Sequence, residues 1–274
     1  MPELPEVETI VRDLRPHVVG RRIEAVVHLN PAVLRYPVAD RFEEGLLGQL
    51  ALALSRRGKF IQLRLASRQL LVVHLGMTGN LTLDQPSDPV RPHTHLRLRL
   101  DSQAELRYRD PRRFGRLLLG GSQELERAGV MPSLGAEPFA PRFAEGPVNE
   151  VLRNSIRPVK AVLLDQSVIA GCGNIYADEA CFLARVRPSH RAWRLTAAQR
   201  QRLLRALPVV MAEAIKRRGT SFSDYRDGFG ARGEALETLF VYGRGGLPCV
   251  RCGSILRQAR VAGRTTVFCV RCQV

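Results

Sequence analysis

Two cysteine pairs near the C-terminus set the tightest limit on how this chain folds: Cys249-x-x-Cys252, sixteen residues, then Cys269-x-x-Cys272. Pairs at this spacing bring four thiolates into a tetrahedron around one Zn²⁺, and the intervening chain must run out and return. Four protein ligands leave no open coordination position, so the metal is structural rather than catalytic. A pair of disulfides is the competing reading, disfavoured in an intracellular chain. Between the pairs, SILRQARVAGRTTVF reads as two short strands joined by a turn at Ala262–Gly263. Arg264 then projects from a metal-braced hairpin, a rigid mount for gripping a phosphate. The two remaining cysteines, Cys172 and Cys181, read as small buried hydrophobes.

Charge points the same way. The 274 residues carry 42 Lys+Arg against 26 Asp+Glu, a formal net charge of +16, which favours a polyanionic partner, nucleic acid first. From Val241 to the last residue there are six arginines and no acidic side chain, so this module offers its cations no local partner. The acidic, proline-punctuated start lacks the basic and apolar regions of a secretory signal, and no eighteen-residue apolar run spans a bilayer. A soluble, intracellular protein is expected.

Periodicity divides the chain. Val7, Ile10, Val11, Leu14 and Val18 recur at helical spacing, with Pro5 and glutamates in the first turn, so a helix should run from near Glu3 to before Gly20. From about Arg22 to Gly120 the pattern alternates, as in LALAL at 50–54, FIQLRL at 60–65, LLVVHL at 70–75 and HLRLRL at 95–100. One polar face per strand argues for an antiparallel sandwich or barrel. A Pro/Gly cluster at 129–141 marks a linker, and helices follow. The clearest covers 196–219, with Thr196 and Gln199 as a capping box, Gly219 as its end and Pro208 as a kink. The stretch TSFSDYRDGFGARGEA at 220–235 reads as a long mobile loop.

Three motifs carry chemistry. GCGNIYADE at 171–179 lacks the third glycine of a dinucleotide fingerprint; a tight turn opening a helix at Asn174 instead aims backbone N–H groups and an amide at a phosphate. DPRRFG at 110–115 follows the strand ELRYR and sets arginine beside an aromatic, as a residue set that wedges into a base stack would. MPELPEVET at the start becomes chemical equipment if Met1 is removed, because Pro2 then offers a free secondary amine. Such α-amino groups titrate near about 7.7–8.0, against about 10.4 for lysine. The amine can attack a sugar carbon and form an iminium, with Glu3 beside it and Glu6 one turn on to move protons or balance charge.

With PELPEVE, GKF at 58–60, HLGMTGNL at 74–81, DPRRFG, GCGNIYADE, VYGR and the four cysteines in order, the chain resembles formamidopyrimidine-DNA glycosylases over its whole length. That resemblance implies an α+β fold: an N-terminal antiparallel β-sandwich flanked by helices, then a helical domain with a helix-two-turn-helix and a β-hairpin zinc finger, with DNA in the cleft between. The expected division is residues 1–130 for the sandwich, 131–145 for a linker, 146–235 for the helix-two-turn-helix and 236–274 for the finger. It implies base excision from double-stranded DNA containing oxidised purines, followed by β- and δ-elimination of the strand, by a monomer in a bacterial cytoplasm, at the nucleoid through its DNA.

The resemblance further implies that Pro2 attacks C1′ and that Glu3 is acid and base, with Glu6 in support. It makes Lys59, Asn174 and Arg264 phosphate ligands, His93 and Lys160 further DNA contacts, and Met77, Arg112 and Phe114 the residues that fill the void. Arg112 would pair with the orphaned cytosine. The segment 218–232 would close over the extruded base. One zinc ion on Cys249, Cys252, Cys269 and Cys272 is the only cofactor implied. The endonuclease-VIII type, which prefers oxidised pyrimidines, usually has Gly where this chain has Leu4. A non-catalytic zinc-finger protein would have no use for a free Pro2 amine beside Glu3.

Overall fold

The computed structural model describes residues 2–222 and 224–274; Met1, whose removal the sequence reading requires, and Ser223, inside the 218–232 segment, lie outside the described residues. The chain forms two compact units, Met1–Pro132 with Arg217–Leu236, and Ser133–Lys216 with Glu237–Val274. Residues 217–235, which the expected division sets at the end of the helix-two-turn-helix domain, pack in the first unit.

The first unit contains α1 (Leu4–Val18), β1 (Ile23–Leu29), β2 (Leu34–Tyr36), α2 (Ala39–Leu46), β3 (Ala51–Arg57), β4 (Phe60–Leu65), β5 (Leu70–His74), β6 (Asn80–Asp84), β7 (Thr94–Leu100), β8 (Glu105–Arg109), β9 (Arg116–Gly120) and α3 (Ser122–Arg127). The strands form two sheets, β1-β7-β8-β6 and β2-β9-β5-β4-β3, antiparallel except for the short parallel pair β2–β9. Their facing sides share one core. Leu96, Leu98 and Leu106 meet Ile61, Leu63, Leu71, Val73, Leu117 and Leu119 there, and the apolar stripe of α1 (Val7, Ile10, Val11, Leu14) enters it. Period two decides the faces: Val72 and Leu118, one residue out of step, point to the other side and pack with Leu125 of α3. Burying each such side chain contributes roughly 1.5–3 kcal/mol, so the alternation fixes the register.

The second unit contains α4 (Pro147–Asn154), α5 (Val159–Leu164), α6 (Asn174–Leu183), α7 (Ala197–Lys216), β10 (Arg257–Val261) and β11 (Arg264–Phe268). The capping box forms as the sequence predicts: Thr196 N donates to Gln199 Oε1 at 2.9 Å and Gln199 N to Thr196 Oγ1 at 3.2 Å. α7 continues through Pro208. Between α5 and α6, Gln166 holds two turns together, its Nε2 donating to Leu164 O and Cys172 O and its Oε1 accepting from Gly171 N. Cys172 and Cys181 are fully buried, as expected of small apolar residues. β10 and β11 pair from Arg257–Phe268 to Val261–Arg264, and φ is positive at both central residues, Ala262 (51°) and Gly263 (72°), the twist a two-residue hairpin turn requires.

Candidate active site

Pro2 and Glu3 are buried at the start of α1, where Glu3 is the N-cap residue and Pro5 fits the first turn without costing a hydrogen bond. Glu6 is also buried, and both of its oxygens accept backbone donors: Oε2 from Glu3 N at 2.8 Å and Oε1 from Thr220 N at 2.8 Å. Its carboxylate therefore fixes the chain at the terminus and holds the 217–236 segment beside it.

That segment has specific anchors, where the sequence predicts a mobile loop. Arg218 donates to Asp13 Oδ2 at 2.7 Å and to Asp227 Oδ2 at 2.6 Å, Gly228 N donates to Asp13 at 3.1 Å, and Arg226 N donates to Asn80 Oδ1 at 3.0 Å. The buried Tyr225 ring joins the core of the first unit. No periodicity announces these contacts, because their partners stand far back along the chain.

Lys59 lies in the two-residue turn joining β3 to β4, with Gly58 at φ 55° ahead of it, as a hairpin of the II′ kind requires. Its side chain is only 6% exposed. Arg56 ties this turn to α1, contacting Glu8 Oε2 at 3.1 Å and donating to Gly58 O at 3.2 Å. Nearby His74 is pushed down to about 4, first by burial and then by the positive charges of Lys59 and Arg116.

The three void-filling candidates are exposed, as a wedge must be: Met77 at 41%, Phe114 at 50%, and Arg112, whose guanidinium carbon sits 4.5 Å from the Phe114 ring centroid. Gly76 brings their loops into backbone contact. Its φ is 63°, and an added Cβ would lie 2.5 Å from both Gly115 N and the Phe114 carbonyl carbon. His93 is exposed, with φ 67°, and its carbonyl accepts Asp110 N at 3.0 Å.

In the second unit, Asn174 opens α6 and its Nδ2 donates to Thr265 O at 3.1 Å, next to the exposed Arg264 at the hairpin turn. Lys160 lies behind the same hairpin. It is completely buried, and its ammonium meets Asp178 Oδ1 at 2.6 Å, Thr266 Oγ1 at 2.7 Å and Thr265 O at 3.1 Å. These contacts make Lys160 a brace for the hairpin, through two hydrogen bonds to Thr265 and Thr266 and an ion pair with Asp178. Burial lifts the Asp178 carboxyl to about 6, leaving it ionised beside the ammonium at neutral pH. Its neighbour Glu179 accepts backbone N–H groups from Phe240, Val241 and Tyr242 at 2.8–2.9 Å. Adjacent carboxylates on one helix thus hold both the hairpin and the strap leading into it, a role the sequence does not disclose.

The four cysteine sulfurs lie within 4.8 Å of one another, with Cys249 to Cys272 at 3.9 Å and Cys252 to Cys269 at 3.5 Å. A tetrahedral Zn–S₄ centre with bonds near 2.3 Å has edges of about 3.8 Å, so the cage fits zinc. Backbone N–H groups of Arg251 and Cys272 approach Cys249 Sγ and Cys269 Sγ at 3.5 and 3.4 Å, as donors to thiolates do. One structural zinc ion completes this module.

Comparison with known proteins agrees with this architecture. Residues 1–117 match the formamidopyrimidine-DNA glycosylase N-terminal domain, 134–226 the formamidopyrimidine-DNA glycosylase H2TH domain, and 246–274 the zinc finger found in FPG and IleRS. The chain is 45% identical over 274 residues to formamidopyrimidine-DNA glycosylase of Symbiobacterium thermophilum, covering 100% of this chain and 89% of that protein. The crystal structure of the MutM (Fpg) protein from Thermus thermophilus superposes with a TM-score of 0.87 at 43% identity, covering 99% of this chain and 98% of that one. A complex of Lactococcus lactis Fpg with abasic-site DNA gives 0.90 at 33% identity, with 99% of each chain covered. No helix among the described residues is long and apolar enough to cross a membrane. By the identity and coverage of these matches, the chain belongs to the formamidopyrimidine-DNA glycosylase family.

Proposed function

We propose that this protein is a bifunctional DNA glycosylase and AP lyase that excises oxidised purines, including 8-oxoguanine and formamidopyrimidines, from duplex DNA in the bacterial cytoplasm. The observation that carries this reading is the buried start of α1, where Pro2 precedes Glu3 and the Glu6 carboxylate fixes the Glu3 amide at 2.8 Å. Once Met1 is removed, the Pro2 nitrogen attacks C1′ and the N-glycosidic bond breaks, its electrons leaving with the base. Glu3 passes a proton to the opening sugar, and the resulting iminium acidifies the C2′ proton. β-Elimination then releases the 3′ phosphate and δ-elimination the 5′ phosphate, leaving a gapped strand.

Lys59, Asn174, Arg264 and His93 serve as backbone contacts in this scheme, while Met77, Arg112 and Phe114 occupy the space left by the extruded nucleotide. The described 217–236 residues cap the extruded base. Zinc contributes no step of the chemistry; it shapes the hairpin that presents Arg264.

Comparing strand cleavage on duplexes carrying 8-oxoguanine opposite cytosine with cleavage on thymine glycol duplexes tests the substrate class. Faster cleavage at 8-oxoguanine is expected. Preference for thymine glycol would overturn the purine reading in favour of an oxidised-pyrimidine enzyme.

A further inference from the structure

The loops bearing the void-filling residues meet at a buried acid that the proposed chemistry does not use. Asp110 has no exposed surface. Its Oδ1 accepts Thr78 Oγ1 at 2.5 Å and Arg112 N at 3.3 Å, and its Oδ2 accepts Gly115 N at 2.8 Å and Tyr108 OH at 3.2 Å. The backbone of Asp110 is engaged as well, its N–H donating to His93 O at 3.0 Å and its carbonyl contacting His95 Nε2 at 2.9 Å. Burial raises the Tyr108 phenol far above its ordinary value, so it remains a donor to this carboxylate throughout any working pH range.

The placement is specific. Thr78 follows Met77, Arg112 is itself a donor, Gly115 follows Phe114, and the His93 carbonyl caps the Asp110 amide, so these bonds all reach a residue assigned to the interrupted stack or its backbone, or that residue's neighbour. Thr78 stands 32 residues before Asp110 in the chain, and its hydroxyl is a side-chain link between the Met77 loop and the Arg112–Phe114 turn. A buried carboxylate with four donors resists rearrangement, because moving either loop leaves charge or N–H groups unsatisfied. Loops free to move separately would close the void only by first losing conformational entropy; loops joined beforehand do not.

We propose that Asp110 and Thr78 are positioning residues that lock the Met77 loop and the Arg112–Phe114 turn into one rigid wedge, and that this wedge, rather than the individual side chains, opens the base stack. The inference rests on the DNA-glycosylase reading above. Neither residue touches the reacting atoms.

The test uses the full-length, zinc-loaded protein and a duplex with a non-cleavable tetrahydrofuran abasic analogue beside 2-aminopurine, whose fluorescence rises when the stack is opened. Wild-type protein should raise the signal. Thr78→Val, which removes one hydroxyl at nearly constant volume, should lower the rise at saturating protein at least fivefold, Asp110→Asn more, and Thr78→Ser should restore it. In parallel, single-turnover excision of 8-oxoguanine by Thr78→Val should fall at least tenfold in a paired duplex and recover to within threefold of wild type in an unpaired bubble, where no stack needs opening. Equal losses on duplex and bubble, or an undiminished fluorescence rise in Thr78→Val, would overturn the wedge. The fluorescence arm involves no chemistry, so a wild-type protein that opens the stack but releases no 8-oxoguanine would refute the excision reading alone.

Discussion

The Glu6 carboxylate accepts the backbone N–H of Glu3 at 2.8 Å while its other oxygen accepts that of Thr220 at 2.8 Å. One buried side chain therefore sets the direction of the terminal residues and the position of the segment packed against them. Replacing Glu6 by Gln keeps the shape but turns an amide donor toward one of these two N–H groups. Losing a hydrogen bond to a charged acceptor costs about 1.5–3 kcal/mol. If that loss falls on the placement of Pro2 and Glu3, single-turnover excision by Glu6→Gln should drop roughly 10–100-fold. Affinity for a tetrahydrofuran duplex, measured by anisotropy, should change little; equal falls in affinity and rate would place Glu6 in binding instead.

Lys160 and Asp178 form a fully buried pair at 2.6 Å that holds the zinc hairpin through Thr265 and Thr266. Removing one partner strands the other charge, so Lys160→Met should destabilise the second unit by about 3–5 kcal/mol. The double variant Lys160→Met, Asp178→Leu should regain most of it. Urea denaturation of zinc-loaded protein followed in the far ultraviolet checks both, and a double variant as unstable as the single one would refute the pairing argument.

His74 sets an acid limit on the first unit. Its folded-state value of about 4 lies below the ordinary 6.5, so between these values the unfolded chain binds the proton and the folded chain does not. Stability from this residue is complete above pH 6.5 and is lost as pH falls toward 4, by up to roughly 3 kcal/mol. His74→Leu should flatten the pH dependence of the melting temperature between about 6.5 and 4.5. An unchanged slope would show that other groups control acid unfolding.

How much of the structure the residues disclose by themselves follows from the range of the forces involved. The start of α1, the capping box at Thr196 and Gln199, the alternating strands, the Ala262–Gly263 turn and the cysteine cage all rest on spacings of a few residues, which a sequence displays directly. The burial of Lys160 is not legible in the sequence, because the threonines that it bonds stand 105 and 106 residues away. The 217–236 segment has the composition of a loop, and its anchors Glu6 and Asp13 are 214 and 205 residues before the groups they hold. Asp110 is hidden for the same reason. An aspartate opening a turn is ordinarily solvated, and only the fold brings Thr78, 32 residues earlier, to its carboxylate.

In the proposed mechanism the terminal amine of Pro2 does the chemistry. Incubating the protein with duplex DNA containing 8-oxoguanine opposite cytosine, in the presence of borohydride, should reduce the iminium to a stable amine. Digestion and mass spectrometry should then place the DNA remnant on the peptide beginning at Pro2, and Pro2→Gly or an added N-terminal extension should sharply reduce the adduct. An adduct on a lysine, or undiminished trapping by the extended protein, would rule out Pro2 as the nucleophile.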